Sequence, residues 1–99
     1  MFRDIGFEEH EAHELAAKSD LIALLARSIQ DKELTQAQAA RLCGTDQPTL
    51  SKVLRGRLES VTIDRLTRWI AALGGRVRIT VERPRAGSDR RGSVTVQRL

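Results

Sequence analysis

Between Asp46 and Gly56 lies a short run whose polar side chains almost all end in a hydrogen-bond donor: Gln47, Thr49, Ser51, Lys52 and Arg55, interleaved with Leu50, Val53 and Leu54. The three apolar residues fall at i, i+3 and i+4, so on a helix they share one side and leave the donors on the other. Donors of moderate length on a free helix face match the donor and acceptor patterns of base edges in a DNA major groove. Gln47 has the two-ended amide that suits adenine, Lys52 suits the guanine acceptors, and Thr49 offers a methyl to thymine. Gln36, Ser51, Arg55 and Arg57 are of the types that hold phosphate oxygens, contacts that set register without reading sequence.

Other chemistry-bearing residues are poorly placed. His10 and His13 on either side of Glu11-Ala12 are three apart rather than four, without a third ligand in sight, so a solvated helix face is expected and no metal. Cys43, the single cysteine, excludes an internal disulfide and sits in an apolar helical pattern as a small buried thiol, with no histidine to activate it. Glycine-rich phosphate loops and paired carboxylates are missing from the sequence. Neither enzymatic activity nor a cofactor is expected.

The donors need a scaffold, and the surrounding sequence supplies one. From Glu8 to Glu33 there is no Gly or Pro, and Leu15, Leu21, Leu24, Leu25 and Ile29 recur at helical spacing. This predicts one long helix, or two joined at Ser19–Asp20, with Leu21–Lys32 packed on the core and the more polar first half projecting. Thr35 is placed to cap a helix over Gln36–Cys43, with Gln38 completing a capping box and Gly44 providing the left-handed exit. Ala37, Ala40, Leu42 and Cys43 are the candidates for its inner face. Asp46 caps the donor-bearing helix, Pro48 fits its first turn, and Gly56 ends it.

Beyond that helix, Thr62 is expected to cap a fourth one, Ile63–Leu73, with Ile63, Leu66, Ile70 and Leu73 inward and Gly74-Gly75 as its stop. Trp69, one position off that face, either closes the core edge or enters a subunit interface. The period then changes. In Arg76-Val77-Arg78-Ile79-Thr80-Val81-Glu82-Arg83 apolar and polar residues alternate, as in a half-buried strand. Residues 93–97 alternate again after a basic, breaker-rich linker, so the end of the chain is either a hairpin partner or a tail. The expected fold is mainly α: a bundle of four or five helices with a C-terminal β-strand or hairpin. Its domain spans residues 1–83, with an acidic N-terminal helical extension and a C-terminal strand, and residues 84–99 form the basic tail or second strand.

With 99 residues, 40% of them hydrophobic and only three aromatic, the chain supports one modest core built from aliphatic side chains. Its net charge of +4 is unevenly distributed. The first twenty residues are acidic, whereas the middle and the last quarter are basic, as in proteins that meet a polyanion with one face. No apolar stretch approaches the length of a membrane span, and the acidic N-terminus is unlike a signal peptide, so the cytoplasm is the expected compartment.

The ordered string Leu34-Thr35-Gln36-Ala37-Gln38-Ala39-Ala40-Arg41-Leu42, Gly44-Thr45-Asp46-Gln47-Pro48-Thr49-Leu50-Ser51 and Leu54-Arg55-Gly56 resembles the lambda-repressor-like helix-turn-helix family (Cro/C1 or XRE type) from about Leu21 to Leu73. A narrower similarity takes in Phe2-Arg3-Asp4-Ile5-Gly6-Phe7, Ser60-Val61-Thr62-Ile63-Asp64-Arg65-Leu66 and Leu73-Gly74-Gly75-Arg76-Val77, and is to its HigA-type antitoxin branch. The resemblance implies a lambda-repressor-like bundle acting as a homodimer on a double-stranded operator. It also implies a second activity, neutralising a small basic RelE- or HigB-like toxin whose operon the protein represses. Two departures stand out: Asp46 replaces the usual Ser or Thr cap and would repel phosphate, and Pro48 occupies a position that reads bases in some relatives. A stand-alone regulator without a toxin, or an antitoxin acting chiefly by protein occlusion through Glu8, Glu9, Glu11 and Glu14, fits the same residues.

Overall fold

The uninterrupted run of good helix formers folds as a single helix, α1 (Ile5–Asp31), with no break at Ser19–Asp20. Ala17, Leu21, Leu25 and Ile29, each four residues apart, are buried together with Ile22. A restart at Ser19 would have broken that stripe. Three shorter helices follow: α2 (Gln36–Cys43), α3 (Gln47–Leu54) and, after a 3-10 turn at Leu58–Ser60, α4 (Ile63–Ala72). The structure, a computed structural model, describes residues 5–82 and Val96, with side chains from Ala12 onward.

One core serves all four helices. Leu25 of α1, Leu50 and Val53 of α3 and Leu66 of α4 are its fully buried centre, closed by Ala39, Ala40, Val61, Trp69, Ile70 and Leu73. Trp69, at 3% exposure, belongs to this core rather than to an interface. Burial of aliphatic side chains at about 1.5–3 kcal/mol each is the main force holding the short helices, which at eight to ten residues have little stability of their own.

Two expectations about facing are corrected: Leu42 is 54% exposed, and Ala37 is also exposed. On α2 the inward side is Ala39, Ala40 and Cys43, at i, i+1 and i+4, which turns Ala37 and Leu42 away. Small residues there let α2 approach α3 and α4 closely.

Every helix ends by the same device, in which the first residue past the cap bonds back three residues and the next bonds back five. After α2 these are Gly44 N–H to the Arg41 carbonyl at 3.2 Å and Thr45 N–H to the Ala40 carbonyl at 2.9 Å. The device needs a left-handed residue, and Gly44 supplies it at φ 75°. After α1 the same position holds Glu33 at φ 54°, a conformation that is strained for a residue with a Cβ.

The expected strand over residues 76–83 is not formed within the described part: Arg76–Glu82 have no regular secondary structure. A strand needs a neighbour to accept its ladder hydrogen bonds, and none pairs with it among the described residues. Val77, Ile79 and Val81 are 38%, 79% and 89% exposed. Val96, from the other alternating run, packs instead against the helical core. The rest of the expected hairpin or tail lies outside the described residues.

Candidate nucleic-acid interface

Each helix of the α2–α3 pair is fixed at its start by a capping side chain. At the start of α2 the Thr35 hydroxyl accepts from Gln38 N–H at 3.1 Å, while the Gln38 side-chain oxygen accepts from Thr35 N–H at 2.9 Å, the reciprocal box expected from the sequence. At the start of α3 the Asp46 carboxylate accepts from Thr49 N–H at 2.7 Å. Those Thr49 hydrogen bonds hold the Asp46 carboxyl below its ordinary range, with the Lys52 charge adding a smaller pull. Between the two caps the left-handed Gly44 turns the chain sharply.

With Leu50 and Val53 buried, the opposite side of α3 is left to solvent. Gln47, Lys52 and Arg55 are exposed on it, and Arg57 is exposed just beyond. Ser51 is half-buried between the two sides. Thr49 is half-buried as well, because it stands one turn before Val53 on the flank of the buried stripe. Gln36 is exposed at the first position of α2, where backbone N–H groups are unpaired by the helix. Thus the structure brings Gln47, Ser51, Lys52 and Arg55 onto one helix, with Thr49 at its edge and Gln36 and Arg57 at flanking termini.

Two further residues bear on the site, of which only Pro48 was marked by the sequence. Pro48, noted there for occupying a base-reading position, is exposed one turn before Lys52, so it stands in the middle of the outward face as an apolar element among donors. Lys18 of α1 is 8% exposed, and its ammonium donates to the Leu58 carbonyl at 3.1 Å, with the Glu14 carboxylate 3.6 Å away. This long-range bond fastens the turn that follows α3 onto α1. The sequence offers only an i, i+4 Glu–Lys pair, which reads as a surface ion pair.

Cys43 closes the site from behind. Its thiol is half-buried, 3.7 Å from the Trp69 carbonyl, and burial pushes its pKa up, so it is packing rather than a nucleophile.

Two short helices joined by a left-handed glycine, the second with a buried aliphatic stripe and a free donor face, define a helix-turn-helix. The chain belongs to the helix-turn-helix domain family of XRE type, whose match runs over residues 1–82. Among solved structures it is similar to a protein named "Putative XRE Family Transcriptional Regulator", at 32% identity and a TM-score of 0.73, covering 88% of this chain and 99% of that one. Among curated proteins it is similar to "Putative antitoxin HigA2" of Mycobacterium tuberculosis strain H37Rv, at 29% identity over 80 residues, 80% of this chain and 79% of that protein. No helix among the described residues is long and apolar enough to cross a membrane.

Proposed function

We propose that the protein is a transcriptional regulator that places α3 in the major groove of a double-stranded operator and represses transcription there. The observation that carries this reading is the free donor face of α3, held rigid by capped ends and a buried stripe. Gln47, Lys52 and Thr49 are the proposed base readers, with Pro48 adding an apolar contact suited to a thymine methyl. Arg55, Arg57, Ser51 and the N-terminus of α2 at Gln36 hold the flanking phosphates. A two-fold dimer would set two such helices against half-sites about 34 Å apart on a palindromic sequence. Affinity would fall steeply with salt, since Lys and Arg bind by displacing counterions.

The similarity to the mycobacterial protein named as an antitoxin supports a second role. On this reading the protein neutralises a small cationic toxin encoded beside it, and the acidic N-terminal part of α1 supplies the complementary charge. Selection from a random duplex pool tests operator recognition. The chain should enrich one inverted-repeat sequence, and recovery of an unbiased pool would refute the reading. Co-expression with the adjacent reading frame tests toxin neutralisation. If that frame encodes no toxic protein, or one that the chain does not restrain, the stand-alone regulator is the correct reading.

A further inference from the structure

We propose that the cavity between α1 and the turn leading into α4 is a binding site for a small carboxylate monoanion. The cavity, of about 210 Å³, is lined by Lys18 of α1, by Glu59, Ser60, Val61 and Thr62 ahead of α4, and by Arg65 within it. None of these residues belongs to the α2–α3 pair, so the site is separate from the donor face that the operator reading uses. Lys18 is the unusual member. Its side chain is only 10% exposed, and an ammonium so far out of water needs acceptors for its three N–H groups. The Leu58 carbonyl takes one of them at 3.1 Å. The Glu14 carboxylate, at 3.6 Å, lowers the local charge from beyond hydrogen-bond length. Among the described residues the remaining N–H groups have no acceptor, and Lys18 borders the cavity.

The rest of the lining decides what the ligand must be. The Arg65 guanidinium stands 6.0 Å over the Trp69 ring, a cation–π contact that engages its flat face and leaves its N–H edge free. Among the described residues no carboxylate pairs with it. The Thr62 hydroxyl accepts from Arg65 N–H at 3.1 Å and keeps its own proton to donate. The Ser60 hydroxyl, by contrast, already donates to the Arg57 carbonyl at 2.6 Å. Lys18, Arg65 and Thr62 therefore offer donors to one cavity, and the guanidinium fork matches the two oxygens of a carboxylate. Glu59 is the one carboxylate on the wall, so Lys18 and Arg65 leave the lining a single excess positive charge. That balance suits a monoanion and penalises a dianion. The volume falls short of the roughly 300–1,000 Å³ typical of sites for drug-sized ligands, so the occupant is a molecule of few heavy atoms.

Backbone amide NMR of the full chain, titrated with sodium acetate against sodium chloride at constant ionic strength, tests the site without DNA. Acetate should move the amide signals of Ser60, Val61, Thr62 and Arg65 saturably, with a dissociation constant in the millimolar range, and sulfate should bind more weakly. Arg65→Gln, at an exposed position, should weaken acetate roughly tenfold through loss of a charge-assisted hydrogen-bond donor. Glu59→Gln should tighten acetate about threefold and sulfate by more, a gain that no loss of folding can mimic. Lys18→Met should abolish saturable binding in a chain whose remaining signals stay dispersed.

Shifts that grow linearly with acetate, or that chloride produces equally, would overturn the proposal. Binding indifferent to both Arg65→Gln and Glu59→Gln would do so too, by placing the anion elsewhere, and sulfate binding more tightly than acetate would refute the assignment to a monoanion.

Discussion

At the scale of single residues, Asp46 does two opposing things. Its carboxylate caps α3 through Thr49 N–H, and its charge stands where the helix would approach phosphate. Because the folded carboxyl is held below its ordinary range, its contribution to stability is present above that range and disappears as pH falls through the folded pKa. Urea unfolding as a function of pH should therefore show the wild type losing stability relative to Asp46→Asn below about pH 4, since an Asn cap does not titrate. Asp46→Ser should keep the cap and bind operator more tightly, an effect that shrinks in high salt. Lys18 shows where sequence reasoning stopped. Burial of an ammonium beneath the turn at Leu58–Ser60 depends on a carbonyl forty residues away, and no local pattern announces it. Lys18→Met should cost about 1–3 kcal/mol in denaturant unfolding, because it orphans the Leu58 carbonyl.

At the scale of elements, caps and stops were the most legible features of the sequence. Thr35, Asp46 and Thr62 cap the helices they were expected to cap, because an N-cap is a local hydrogen bond between residues three apart. Helix facing was less legible in α2, where a short helix with three alanines carries almost no periodic signal, and Leu42 misled by its hydrophobicity. The left-handed termini separate two costs. Gly44 has open space where a Cβ would go, so Gly44→Ala should cost about 1 kcal/mol from backbone strain alone, and Gly44→Asn less. Glu33 already bears that strain, and Glu33→Gly should raise stability by about 0.5–1 kcal/mol. Thermal melts of the three variants check both signs at once. The strand over 76–82 was legible as a pattern but not as a structure, since a ladder depends on a partner that periodicity cannot name.

At the scale of the whole molecule, charge is unevenly placed along the chain: the donor face of α3 carries Lys52, with Arg55 next to it, and the sequence near the start of α1 is acidic. Ala17 and Lys18 belong to the core and Glu14 pairs with Lys18, so any separable role for the acidic part ends before Glu14. Deleting residues 1–13 should abolish toxin neutralisation in a growth-rescue assay while leaving operator affinity within about threefold, equivalent to about 0.65 kcal/mol. Loss of both activities would instead make the segment structural. The central claim, that α3 reads base edges, is tested most directly by fluorescence anisotropy on the selected operator and on a scrambled duplex of the same composition. Gln47→Ala and Lys52→Ala should each lose about 1–3 kcal/mol on the operator and little on the scrambled duplex, whereas Arg55→Ala weakens both alike. Equal losses on both duplexes for Gln47→Ala and Lys52→Ala would contradict it.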